Sequence, residues 1–327
     1  MAVLTKINGK DISYIESQFN FGKIKNFQGI KKGIENTNYS IFTKNKKYIL
    51  TIFEKRIHGG CKHKDLIFFT KLMYKLSKSK IKCPSPVKNK KGKYIFKLKN
   101  KNACIVTFLR GKDKKQLSPK DCFAVGKNVA KFHKVSSKIK LYRKNTLSVN
   151  AWPRLLSKID NRIRKISKNL KQIMRDDLKY IEKNWPKNLP SGIVHCDLFV
   201  DNIFFNKNKF YGFIDFYFSS NDYLSYDLGT CINALCFKRK KNRFILDRKK
   251  SNQLIKGYES VRKITKKEKL SFNTICRGSA LRYLLTRAYD YLNTPKNTNI
   301  QKKDPREYFQ KLNFHRNIES FNQYLNK

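Results

Sequence analysis

Residues 191–237 constrain this chain more than any other stretch. They read SGIVHCDLFVDNIFFNKNKFYGFIDFYFSSNDYLSYDLGTCINALCF. His195, Asp197 and Asn202 stand in the spacing H-x-D-x-x-x-x-N. Asp215 follows Asn202 by 13 residues, inside the apolar run Phe213-Ile214-Asp215-Phe216. A carboxylate near an amide, then a second carboxylate delivered by an apolar strand, is the set that phosphoryl transfer from ATP requires. Asp197 would accept the proton of an attacking hydroxyl. Asn202 and Asp215 would offer hard oxygens to a Mg²⁺ that bridges the nucleotide phosphates, a cation that keeps several waters and needs few protein ligands. His195 reads as a brace for the catalytic loop. Asp201 reads as a loop carboxylate, because the spacing to Asn202 favours Asp197 as the base.

The same residues carry a resemblance. HxDxxxxN followed by a strand-borne Asp resembles the catalytic core of the protein-kinase-like small-molecule kinases, which include the aminoglycoside and choline kinases. The fuller wording, HCDLFVDNIFF and then GFIDFYFSSNDYLSYDLGTCINALCF, resembles the bacterial homoserine kinases of that superfamily. Supporting stretches run in family order: Gly33 to Tyr39, Tyr48 to Glu54, Cys83 to Val87, Ile105 to Leu109 and Arg277 to Tyr283. The resemblance implies an α+β, two-lobed protein-kinase-like fold, with a small β-rich N-lobe at 1–109 and a larger, mainly helical C-lobe at 110–327. It implies ATP and Mg²⁺, phosphorylation of the L-homoserine hydroxyl and a place in threonine biosynthesis.

The N-terminal third is expected to form a short helix near 12–19. Strand, glycine-bearing turn and strand follow from Phe27 to Thr43, and a third strand runs from Lys47 to Phe53. Gly33, Asn36 and Asn38 are candidate phosphate contacts, and Gly29 would help the turn. Protein kinases place a lysine on the third strand. Here the inward position is Thr51, so Lys55 or Arg56 is left to supply the cation. The next helix, about Asp65 to Lys78, has Leu66, Phe69, Met73 and Leu76 at helical spacing and no glutamate. Cys83-Pro84-Ser85-Pro86 should be extended, and a hairpin should turn at Asn100-Lys101-Asn102. By resemblance, backbone groups at Phe108, Leu109 and Arg110 would meet adenine.

Beyond Gly111 the pattern turns helical. Ser118-Pro119 is an N-cap and first-turn pair, with Cys122, Val125, Val129 and Phe132 on one face. Residues 151–184 read as one or two amphipathic helices, 222–237 as loop then helix, and 251–292 as two helices. The tail beyond should pack on the large lobe. A homoserine site needs acids near the ammonium and a cation near the carboxylate. Asp222 and Asp227 are candidates for the first, Arg277 or Arg282 for the second, and Asn233 is a candidate orienter.

Formal charge sets a competing expectation. Lys and Arg number 74 against 23 Asp and Glu, a net charge of +51, which would ordinarily suggest nucleic acid. The lysines are spread along the whole chain, however, while 191–237 holds only Lys207 and Lys209 against five acids. The reading is therefore no specific nucleic-acid partner, with nonspecific binding at low salt. The longest apolar run, Ala103 to Leu109, is too short to cross a bilayer. No signal sequence is expected at the start, since Lys6, Lys10 and Asp11 interrupt any apolar run there. The eight cysteines show neither CxxC pairing nor metal spacing, and most sit in apolar runs as small hydrophobes. A cytoplasmic enzyme of open oligomeric state is expected. The alternatives are a kinase of the same fold acting on choline or an aminoglycoside, or a basic nucleic-acid-binding protein without catalysis.

Overall fold

The computed structural model describes residues 3–30, 36–54, 62–294 and 302–325. Its chain divides into two compact units, Met1–Arg110 with Gly212–Tyr217, and Gly111–Tyr211 with Phe218–Lys327.

In the first unit the described elements are α1 (Gly9–Gln18), β1 (Ile24–Gly29), β2 (Thr37–Thr43), β3 (Lys47–Ile52), α2 (His63–Lys78), β4 (Ile95–Leu98) and β5 (Lys101–Thr107). The strands form one antiparallel sheet in the order β1-β2-β3-β5-β4. Asn8 starts α1 through a reciprocal cap with Asp11. Ile15 and Phe19 then pack with Ile41, Leu50, Ile52 and Ile105. Helix α2 buries Leu66, Phe69, Met73 and Leu76, the stripe its spacing predicts.

The β4–β5 hairpin turns one residue earlier than expected. Leu98 pairs with Lys101, so the loop is Lys99-Asn100. Both are left-handed, at φ 48° and 61°, as a two-residue type I′ turn requires. Segment 212–217 belongs to this unit for a local reason: Phe213 N–H donates to Lys82 O at 3.1 Å. A Cβ on Gly212 would stand 2.2 Å from that same carbonyl. Tyr217 anchors the far end, edge-on to Phe53 and Phe69 at 5.1 and 5.7 Å. The domain division expected at 109/110 omits this returning stretch.

The second unit continues with α3 (Pro119–Ser136), α4 (Trp152–Ser157), α5 (Leu170–Asn184), β6 (Ser191–Val194), β7 (Ile203–Asn206), β8 (Lys209–Phe213, whose last two residues belong to the first unit), β9 (Ser220–Tyr223) and α6 (Leu224–Leu235). A hairpin of β10 (Phe237–Lys240) and β11 (Arg243–Leu246) then leads to α7 (Arg248–Glu259), α8 (Lys266–Asn293) and α9 (Arg306–Arg316). Ser118, Pro119 and Asp121 form the start of α3 as a capping box with proline in the first turn. Between α4 and α5 lies a 3₁₀ turn, Asp160–Lys165. The 28-residue α8 is the unit's axis, with α5, α6 and α9 packed along it. Ala280, Leu284 and Ala288 lie in one core with Trp152, Ile163 and Met174. Asp222 and Tyr223, expected as loop, end a strand, because residues 220–223 pair antiparallel with β6, Ser191 opposite Tyr223.

Helices α3 and α7 cross at van der Waals limits. A Cβ on Gly126 would lie 2.0 Å from Leu254 O, and one on Gly257 2.0 Å from Phe123 O. No helix among the described residues is long and apolar enough to cross a membrane.

Candidate active site

Strand β6 ends at Val194, and the loop that follows is held from beneath. The backbone N–H groups of His195 and Cys196 donate to Asp227 Oδ2 and Oδ1 at 2.7 and 2.8 Å. That double acceptor stabilises Cys196 at φ 64°, a left-handed conformation unusual for a side-chain-bearing residue. His133 Nε2 stands 3.0 Å from the same Asp227 Oδ2. A carboxylate only accepts, so His133 carries its proton at Nε2, and its Nδ1 faces Tyr258 Oη at 2.8 Å. Arg262 donates to Tyr258 Oη at 3.1 Å and to Glu268 Oε2 at 3.0 Å. The Tyr258 proton is therefore directed to His133 Nδ1. An unbroken hydrogen-bonded chain thus runs from Glu268 on α8 to the catalytic loop. His195 is itself fully buried, in keeping with a bracing position.

Asp197 follows in a defined pose. Asn202 Nδ2 donates to the Asp197 carbonyl at 2.8 Å and to its Oδ2 at 3.0 Å. Tyr283 Oη donates to Cys196 O at 2.8 Å and lies 3.4 Å from Asp197 Oδ1. Burial raises the Asp197 pKa above the ordinary carboxylate value. Arg282, Lys303 and the Asn202 hydrogen bond pull it back, and Asp201 pushes it up. Asp201 itself points outward, 4.0 Å from Lys303 Nζ. Because the Asn202 amide nitrogen is spent on Asp197, its oxygen faces away, and no hydrogen bond among the described residues ends on it. Such an orientation fits a hard cation. Asp215 lies in the first unit, two residues past the end of β8 rather than within the strand, at φ 62°.

Burial and the nearby Asp227 and Asp222 carboxylates hold the Cys196 thiol well above the usual range. All seven described cysteines are buried and unpaired.

Several expected ligand contacts are instead structural. Asn36 is buried and accepts from Glu54 N–H at 3.4 Å. Asn38 Oδ1 accepts from Thr51 Oγ1 at 2.8 Å, and its amide turns back to Asn36 O. These side chains stitch β2 to β3 and do not reach outward for phosphate. Gly33, Lys55 and Arg56 lie outside the described residues. Phe108 packs under Lys47 Nζ at 4.2 Å. The N–H groups of Leu109 and Arg110 donate no hydrogen bond among the described residues.

The acceptor candidates divide in the same way. Asp227 is the loop clamp, with both oxygens spent. Asn233 is fully buried, donating to Cys276 O and accepting from His315 Nε2 at 2.8 Å, so it ties α6 to α8 and α9. Arg277 is held by Asp177, whose other oxygen takes Arg316 Nε at 2.8 Å. Asp222 and Arg282 remain. Asp222 accepts from Asn145 Nδ2 at 2.6 Å and Tyr223 N–H at 2.7 Å, and burial raises its pKa. It also lines an open depression with Glu182, Trp185 and Tyr223. The sequence reading missed His133 and Tyr283 as parts of this site. A histidine beside the apolar stripe of α3 was the available signal for the first, and adjacency to Arg282 for the second.

Residues 26–264 match the profile of a phosphotransferase enzyme family. The chain belongs to that family. It is 39% identical to the homoserine kinase of Brucella anthropi over 99% of its own length and 97% of that protein's. It is 38% identical to the homoserine kinase of Agrobacterium fabrum, with 99% and 98% covered. Among solved structures, an amicoumacin kinase in complex with AMP-PNP, Ca²⁺ and Ami superimposes with a TM-score of 0.71 at 14% identity, covering 97% of both chains. A spectinomycin phosphotransferase in complex with ADP and spectinomycin gives 0.66 at 16% identity, covering 98% of both. At those identities the likeness is one of fold, the α+β fold of protein-kinase-like small-molecule kinases.

Proposed function

We propose that this phosphotransferase is an ATP-dependent homoserine kinase, converting L-homoserine to O-phospho-L-homoserine. The supporting observation is the pose of Asp197. One of its oxygens is fixed by Asn202 and its backbone is held by a clamped loop, so the carboxylate is set before substrate arrives. The names borne by the curated relatives supply the acceptor.

Asp197 orients the acceptor hydroxyl and takes its proton as the O–H bond breaks. The hydroxyl oxygen forms a bond to the γ-phosphorus while the bond to the β,γ-bridging oxygen breaks, leaving ADP. The transition state is loose, so positioning and charge stabilisation matter more than base strength. Asn202 Oδ1 and the Asp215 carboxylate would hold Mg²⁺, which when bound neutralises phosphate charge. The free N–H groups of Leu109 and Arg110 suit the adenine edge. The +51 charge draws anionic nucleotide from a distance and adds no specificity.

A coupled ADP-release assay with Mg·ATP against L-homoserine, L-threonine, L-serine, choline and kanamycin tests this. Turnover with L-homoserine above the others is expected. Preference for choline or kanamycin would move the enzyme to another acceptor class. No ADP release from folded protein with any acceptor would overturn the kinase reading.

A further inference from the structure

Arg282 is a buried cation whose guanidinium has no hydrogen-bond or ion-pair contact partner among the described residues. It is 4% exposed. Its guanidinium carbon lies 3.9 Å over the Tyr283 ring and 5.4 Å from that of Phe218. The two other buried arginines among the described residues, Arg277 and Arg287, each hold a carboxylate, Asp177 and Glu307. Arg282 has none: no hydrogen-bond acceptor or ion-pair partner among the described residues meets its five N–H donors. Asp197 and the neighbouring tyrosines offset its burial at longer range, while its N–H donors stay without an acceptor. A fold can leave donors open where a ligand brings the missing anion.

The surroundings identify which site the guanidinium serves. Asp197 feels its charge, as do Cys196 and Tyr226. Asp222 acts on the same Cys196 and Tyr226. The Tyr226 hydroxyl is buried and has no hydrogen-bond partner among the described residues. One neighbourhood of the second unit therefore holds a base carboxylate, a second carboxylate and a cation with open donors. An amino-acid alcohol presents the complementary hydroxyl, ammonium and carboxylate. Planar, fork-shaped donors suit a carboxylate bound through both oxygens.

We propose that Arg282 binds the carboxylate of the acceptor and so selects amino-acid alcohols over amino alcohols that lack a carboxylate. The inference rests on the homoserine reading above and assigns the residue that enforces it. A cation there would repel choline-like acceptors as well as attract homoserine, which gives discrimination in both directions.

The test compares wild type, Arg282→Gln and Arg282→Lys on L-homoserine and on 3-aminopropan-1-ol, which is homoserine without its carboxylate. Inhibition by L-2-aminobutyrate, which keeps the carboxylate and lacks the hydroxyl, is measured beside inhibition by 1-aminopropane. In Arg282→Gln, kcat/KM on homoserine should fall about 10²-fold, chiefly through KM. The inhibition constant of L-2-aminobutyrate should rise to match. Values for 3-aminopropan-1-ol and 1-aminopropane should change about twofold or less, and Arg282→Lys should recover part of the loss. Equal losses on both alcohols would assign Arg282 to Asp197 or the transferring phosphoryl group and overturn the proposal. Unchanged homoserine kinetics would overturn it too. If Arg282→Gln does not fold, Arg282→Lys carries the same comparison through its weaker fork. Wild-type turnover of 3-aminopropan-1-ol but not of homoserine would remove the acceptor reading itself, a result distinct from failure of the arginine alone.

Discussion

Helix α8 buries three arginines five residues apart, Arg277, Arg282 and Arg287, and the first two end differently. Arg277 lies 3.9 Å over the ring of Tyr180, and Arg282 lies 3.9 Å over that of Tyr283. At the α5–α8–α9 junction, Arg277 meets Asp177, which also holds Arg316, so the charges close among themselves. At the catalytic-loop face, Arg282 has the stacking without the carboxylate. The first region is finished by folding. The second, on the proposal above, is finished when the acceptor's carboxylate enters. The same buried residue type thus closes its charge within the fold in one place and leaves its donors open in the other.

The comparison breaks most visibly at the reacting group. Asp197→Asn should lower kcat by roughly 10²–10⁴-fold with an unchanged melting temperature; near-normal turnover would remove Asp197 as base. Asp215→Ala should abolish Mg²⁺-dependent turnover, and titration of activity with Mg²⁺ checks it, an unaltered dependence refuting the metal role. At the junction, Asp177→Ala should cost about 3–5 kcal/mol of stability by urea unfolding, since it strands Arg277. The folded enzyme's kcat and KM should stay the same. Arg282→Met should show the converse, stability kept or raised and homoserine kinetics impaired. If both changes destabilise alike, the distinction between the two arginines fails.

A smaller effect comes from His315. It donates from Nε2 to Asn233 Oδ1 and faces Tyr324 Oη at 2.8 Å, an arrangement for the neutral ring. Burial, with Lys311 and Arg277 nearby, depresses its pKa to about 3. Unfolded histidine titrates near 6.5, so between about 3 and 6.5 the unfolded chain binds the extra proton. The stabilisation is complete above about pH 6.5 and is lost as pH falls towards 3. Between pH 7.5 and 5 the loss should be about 2 kcal/mol relative to His315→Gln, read as the difference in urea midpoints. Parallel pH dependences in the two proteins would refute it. Smallest should be the acid limb of kcat/KM. It lies above the usual carboxylate range because Asp197 is desolvated, and Arg282→Gln should move it further up, since a cation that favours the ionised base has gone. A downward shift would contradict the placement of Arg282 beside Asp197.

The pairing of Asp197 with Asn202 was legible because it is local. Asp197, Asn202 and Asp215 span 19 positions, close enough for their spacing to be read as a motif. Among the acceptor candidates, the structural roles of Asp227 and Arg277 were not legible, because what decides them is distant. Asp227 is claimed by His133, 94 residues away, and Arg277 by Asp177, 100 residues away. Nothing near either residue signals those partners. Asn36 and Asn38 show the same limit in the sheet, since an amide that could reach a phosphate and one that stitches two strands have the same letter. The β4–β5 turn was misplaced because Lys99 takes a left-handed conformation that its residue type does not announce.

The crossing of α3 and α7 carries one more meaning. In a chain that has taken up lysine almost everywhere, Gly126 and Gly257 are positions where nothing beyond a hydrogen atom fits. Each faces a carbonyl of the opposite helix, so neither can compensate for a change in the other. His133 lies two turns beyond Gly126, and Tyr258 directly follows Gly257. The gap between the helices therefore acts as a spacer gauge for the His133–Tyr258 hydrogen bond and, through Asp227, for the catalytic loop. Two missing side chains, neither near the reacting groups, set the mechanical tolerance to which the site is built.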